Sequence, residues 1–221
     1  MEYSQSMPRP LHSTRSVKDH KNLLRVSGEG SVSVPPNQAI ITLGALTENK
    51  NLTAAQEENA KTMTKIIESL KALGISDRNL QTVIYRIDPQ YDFENGKPIL
   101  QGYLVHHQLQ VINDQIQLTG RIIDTAVQNG ANSVTTIQFT VTPVETYYFQ
   151  ALSNAIKNAQ QKALTISNDI GVVLNKVPSS IQEVQPSISP IPYSAALMTP
   201  TPIQQGEIKV NAKIIIEYTY S

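Results

Sequence analysis

An α+β fold with the element order ββαββαβαββ, in which largely antiparallel mixed sheets pack against three helices, is what this sequence predicts, and three stretches carry the prediction. In the first, Val26, Gly28, Gly30, Val32 and Val34 alternate with Ser27, Glu29, Ser31 and Ser33, the period of two of a half-buried strand. The second, residues 144–170, repeats alanine every four positions at 151, 155, 159 and 163, with Tyr148, Leu152, Ile156, Ile166 and Ile170 around that track. In the third, Ile208, Val210, Ala212, Ile214, Ile216, Tyr218 and Tyr220 alternate with mainly polar residues. Opening and closing strands so long and so regular predict that the two ends of the domain meet.

Pro35 and Pro36 end the first strand, since proline has no donor for a ladder. Residues 39–46 follow as a strand apolar on both faces, hence central. The first helix is expected to begin near Thr53, with Gln56 completing a capping box, to carry Met63, Ile66, Ile67, Leu70 and Leu73, and to stop at Gly74. A third strand is expected over 80–87 and a fourth over 99–112, with Asn95-Gly96 supplying a tight turn between them. Ile116, Ile122, Ile123, Ala126 and Val127 mark a second helix ending at Gly130, and Ile137, Phe139 and Val141 a fifth strand. After the long helix, a strand over 176–184 leads into residues 186–202, whose five prolines predict an irregular, exposed connection.

Residues 1–22 lack periodicity and read as a flexible N-terminal arm, leaving 23–221 as a single domain with a proline-rich loop at 186–202. Lysine plus arginine and aspartate plus glutamate number 18 each, so no global field draws the chain to nucleic acid or to an anionic membrane. Cysteine is absent, which removes disulfides, thiol nucleophiles and thiolate-held metals. No run reaches the ~18 apolar residues that suggest a membrane span. Met1 to Lys21 has no apolar core of a secretory signal, and the expectation is a cytoplasmic chain.

Val26-Ser-Gly-Glu-Gly30 with Pro36-Asn37, Leu73-Gly74-Ile75, Gln81-Thr82, Pro89-Gln-Tyr91, Gly102-Tyr103, Gly130-Ala131-Asn132 and the alanine and lysine pattern of 155–163 followed by Gly171 occur in an order that resembles the SIMPL family. The likeness covers nearly all of residues 24–220. Asn37 stands where that family usually has Asp, and Asn175 where Gly is common; both read as turn substitutions. The resemblance implies a fold and a habit of self-assembly, with channel-like rings known among relatives. Those relatives are often exported, and some are periplasmic immunogenic or oxidative-stress-defence proteins. The family's molecular function is largely unknown.

Candidate chemistry is sparse. Gly28-Glu-Gly30 continues into strand rather than opening a helix, so it reads as a bulge or a close backbone approach, not a phosphate cradle. His106 and His107 are neighbours on a strand and point to opposite faces, which leaves His107 a core or interface residue and no metal pair. Glu57 and Glu58 are solvated helix carboxylates, and Asn51-Leu-Thr53 matches a glycosylation triplet that the expected helix cap explains. Tyr147, Tyr148, Phe149, Tyr218 and Tyr220 place aromatics at element ends, where they suit a rim or an interface. No catalytic, cofactor-binding or metal-binding residue is assigned.

The functional expectation is therefore a non-enzymatic, self-associating SIMPL-type protein acting as a stress-related scaffold or binding module. Its homo-oligomer would form through sheet edges, the closing strand among them, and the long helix. A small-ligand-binding protein or enzyme with an unmarked pocket, and an adaptor for a protein partner through the proline-rich loop, are the alternatives.

Overall fold

The computed structural model describes residues 22–191 and 203–221. Residues 1–21 of the expected arm and 192–202 of the expected loop lie outside them. Strands β1 (Leu23–Val34), β7 (Glu207–Thr219) and β6 (Ser180–Ile191) form one sheet in the order β1-β7-β6, and β3 (Leu80–Glu94), β4 (Lys97–Asn113), β2 (Gln38–Asn49) and β5 (Ser133–Thr140) form another in the order β3-β4-β2-β5. Every pairing is antiparallel. Helices α1 (Leu52–Ala72) and α2 (Thr119–Gln128) cover the four-stranded sheet, and α3 (Val144–Ile170) covers the three-stranded one.

The opening and closing strands pair along their whole length, from Leu23 opposite Thr219 to Val34 opposite Ile208, so the ends of the domain meet as the patterning implied. Their inner face packs on α3. An added Cβ at Gly28 would lie 2.1 Å from the Ala155 carbonyl oxygen, and one at Gly30 2.2 Å from that of Ala151. The two glycines thus let the alanine track reach the sheet backbone, and Ala151, Ala155, Ala159 and Ala163 are buried. β1 keeps an unbroken register, so close approach rather than a bulge explains the glycines.

A second core lies under α1 and α2, built from Ile41, Leu43, Met63, Ile66, Leu70, Leu109, Val111 and Ile122. Val34, Val141, Ile208 and Val210 form a third cluster, against which Phe139 of β5 and Tyr148 of α3 pack. α1 ends as expected: Gly74 has φ +93°, its amide donates to the Lys71 carbonyl, and the Ile75 amide donates to that of Leu70.

Several expectations are corrected. Asn51, not Thr53, caps α1, its Oδ1 accepting from the Ala54 amide at 3.1 Å. A short side chain one step outside the helix reaches that amide, which is why the cap lies earlier than the Thr53–Gln56 pattern suggested. The sixth strand runs over Ser180–Ile191 rather than 176–184 and so enters the proline-rich stretch. Its register shifts between Val184 and Ser187, which takes Pro186 out of the ladder, and as an edge strand β6 tolerates proline on its unpaired side. β7 is paired on both sides and is not an edge. Ile166 and Ile170 do not flank the alanine track in the core; both are exposed.

Candidate functional site

β3 and β4 are longer than the sheet they belong to. The last β2 residue paired with β4 is Asn49, opposite Tyr103, so residues 97–102 pair with β3 alone. The two strands continue as a ribbon roughly 20 Å long by the rise of a strand. It closes at Asn95-Gly96, both with positive φ, 53° and 76°, as a two-residue hairpin turn requires.

The ribbon is amphipathic. Tyr85, Ile87, Pro89, Tyr91 and Phe93 alternate along β3 with Arg86, Asp88, Gln90, Asp92 and Glu94. The register adds Leu100 beside Tyr91 and Pro98 beside Phe93 on the apolar face, and it sets Lys97 opposite Glu94 on the polar one. An apolar row with a period of two normally faces a core. This one does not: Tyr85 is 54% exposed, Tyr91 55%, Phe93 71% and Leu100 44%.

The root of the ribbon is held by a polar network around His107. Its ring meets Tyr85 edge-on with centroids 5.2 Å apart, and the Tyr85 hydroxyl accepts from the Gln56 amide at 3.3 Å. His107 Nδ1 lies 3.3 Å from Asn59 Oδ1, and Nε2 lies 3.3 Å from the Thr82 hydroxyl. Asn59 is fully buried and its Nδ2 donates to the Ala45 carbonyl, so Oδ1 is the atom facing His107 and the neutral ring carries its proton on Nδ1. Burial holds the His107 pKa below its ordinary value. Of the core and interface readings that the strand pattern left for His107, the structure shows a half-buried residue with both ring nitrogens facing partners of its own chain. His106 projects from the opposite face, and its Nε2 is buried without a partner. Glu57 and Glu58 are exposed on α1. No group of three or more His, Asp or Glu able to hold a metal occurs among the described residues.

The other sequence-flagged residues hold the fold. α3 lies along the free side of β1: Asn158 Oδ1 accepts from the Glu29 amide at 3.2 Å, and Lys162 Nζ donates to the Ser27 carbonyl at 3.0 Å. Asn132 grips the Leu46 backbone with both ends of its amide, at 2.7 and 2.8 Å. Asn37 holds Thr142 in the same way at 2.9 and 2.7 Å, making it more than a turn residue. Tyr148 donates to Glu183, and its pKa is pushed up to about 12 by that hydrogen bond. Tyr218 is 5% exposed and belongs to the core under α3 rather than to an interface, because its position on β7 faces the helix. The third strand runs to Glu94 rather than stopping at Ile87 as expected, and because β3 is an edge strand its ladder tolerates Pro89, opposite Tyr103.

The SIMPL family model, described as a protein of unknown function (DUF541), matches residues 24–218. The 26 kDa periplasmic immunogenic protein of Brucella melitensis is 29% identical over 209 residues, 88% of this chain and 83% of that protein. The uncharacterized protein YggE of Edwardsiella ictaluri is 26% identical over 77% of this chain and 73% of its own, and that of Escherichia coli K12 is 26% identical over 73% and 67%. The periplasmic relative overturns the cytoplasmic expectation and points to export. That expectation rested on residues 1–21, outside both the described residues and the matched domain; a compartment is specified by a short targeting segment, whereas this likeness is carried by the folded domain.

Proposed function

We propose, from the premise that this chain belongs to the SIMPL family, that it is an exported, non-enzymatic scaffold protein that self-associates through the apolar face of the β3–β4 ribbon. The observation that carries this reading is the period-two row from Tyr85 to Phe93, joined by Leu100 and Pro98, whose outer part from Pro89 to Phe93 its own chain leaves in solvent while Ile87 is half-buried at its root. Pro89 and Tyr91 are part of the SIMPL-like motif set. The motif residues Gly28, Gly74, Asn132 and Lys162 each serve a contact or turn within the fold. Tyr91 has 55% of its surface free. Burying this row on two copies would cover on the order of 1,000 Å², the lower bound for a specific interface. Charge does not oppose the contact, since the formal net charge is zero.

Light scattering coupled to size exclusion at micromolar concentration tests it. The wild-type chain is expected to be an assembly, and Tyr91→Asp with Phe93→Asp a monomer whose melting temperature is unchanged, because exposed positions contribute within roughly 0.5 kcal/mol to folding. A wild-type monomer refutes self-association. An assembly that survives the double substitution places the contact elsewhere on the molecule.

A further inference from the structure

Near the C-terminal end of α3, the helix, the segment after it and β7 line a cleft of about 220 Å³ that is open to solvent on one side. One wall is apolar, formed by Ala163 and Leu164 of α3 and by Leu174. Leu174 is held there by a bridge to Tyr220, and the next residue, Asn175, is fixed by its amide donating to the Thr219 carbonyl at 2.9 Å. Those two anchors bring Lys176 to the rim. Tyr218 lines the cavity from the sheet side.

Two features of the lining point to a ligand. Tyr218 is more than nine-tenths buried, yet its hydroxyl makes no hydrogen bond to any described residue, and it is not among the fully enclosed polar atoms that lack a partner. A phenol in that condition keeps its hydroxyl in reach of open space, and Tyr218 lines this cavity. The second feature is the charge of the lining, which contains Lys176 and no carboxylate. Burial raises the Tyr218 pKa, so the phenol stays protonated and donates. A wall of leucine and alanine beside the Tyr218 hydroxyl, the carboxamides of Gln160 and Asn175 and one ammonium suits an acceptor-headed, apolar-tailed molecule.

We infer that this cavity is a binding site for a small monocarboxylate with an apolar tail. The Tyr218 hydroxyl and the Lys176 ammonium take the carboxylate, and Ala163, Leu164 and Leu174 take the tail. The site is on the three-stranded sheet and the ribbon on the four-stranded one, so it stands or falls independently of self-association.

Hexanoate is the probe, with hexanol as the uncharged control. Titration followed by NMR should shift the methyl signals of Leu164 and Leu174 saturably with hexanoate, and hexanol should bind at least about tenfold more weakly. Tyr218→Phe keeps the ring and the fold while removing the donor, and it should weaken hexanoate about tenfold. Lys176→Gln, at an exposed position where folding is not at stake, should weaken it by a similar factor. No saturable shift in the wild-type protein, equal affinity for hexanol, or unchanged affinity in both variants would each overturn the assignment.

Discussion

At Gly28 the chain has no room for one more carbon. An alanine there would set its Cβ 2.1 Å from a helix carbonyl and 2.7 Å from the Ala159 Cβ, so α3 would have to move off the sheet. Gly28→Ala is therefore expected to lower stability by roughly 2–3 kcal/mol, the cost of overpacking a rigid contact, measurable by urea denaturation. His107 supplies a pH dependence of known sign. Burial lowers its folded pKa from the ordinary 6.5, so below that value the unfolded chain binds more protons than the folded one. Stability should be present in full above pH ~6.5 and fall as the pH drops through the folded pKa. His107→Gln should flatten that part of the stability profile, and an unchanged slope would assign it to another group. Strand alternation showed that His106 and His107 could not share a ligand; it could not show that Asn59, 48 residues earlier in the chain, would meet His107.

At the scale of elements, α3 does two jobs for the three-stranded sheet. Its alanine track covers one face, and its polar neighbours Asn158 and Lys162 hydrogen-bond the free edge of β1. An edge so occupied cannot recruit another strand. Lys162→Met with Asn158→Ala should cost about 1–3 kcal/mol, since the Glu29 amide and the Ser27 carbonyl lose their partners. Hydrogen exchange at the Glu29 amide should accelerate more than exchange across β7; uniform acceleration would mean only global destabilisation. The boundaries of α3 were legible from its periodicity. The extent of β6 was not, because proline density argues against a ladder in general, and only its place at the sheet edge makes Pro190 acceptable opposite Ile208.

The whole molecule has two sheets of different character. In one, the opening and closing strands are paired and covered by α3; in the other, β3 and β4 outrun their neighbours and carry an apolar face into solvent. Substitutions on the two should behave differently. Tyr218→Lys buries a charge under α3 and is expected to cost at least ~3 kcal/mol, seen as a large fall in melting temperature. Phe93→Lys, at a position 71% exposed, should leave the melting temperature within about 2 °C and alter only the molecular mass in solution. Equal destabilisation by both would mean that the ribbon packs as part of the subunit core.

By itself the sequence determined the α+β class, the three helices and their glycine stops, and the meeting of the two ends of the domain; it left Gly28 and Gly30 between a bulge and a close approach, which the unbroken register of β1 decided. The features it determined follow from short-range periodicity and from backbone geometry, which are written locally. Tertiary structure decided that the strands divide into two sheets, that β7 is interior, that Tyr218 faces the core, and that Tyr85, Tyr91 and Phe93 of the ribbon row are left exposed. A period of two states that one face of a strand is apolar; what covers that face is settled by elements far away in the chain. For this ribbon, no described residue of the same chain covers it enough to take it out of solvent.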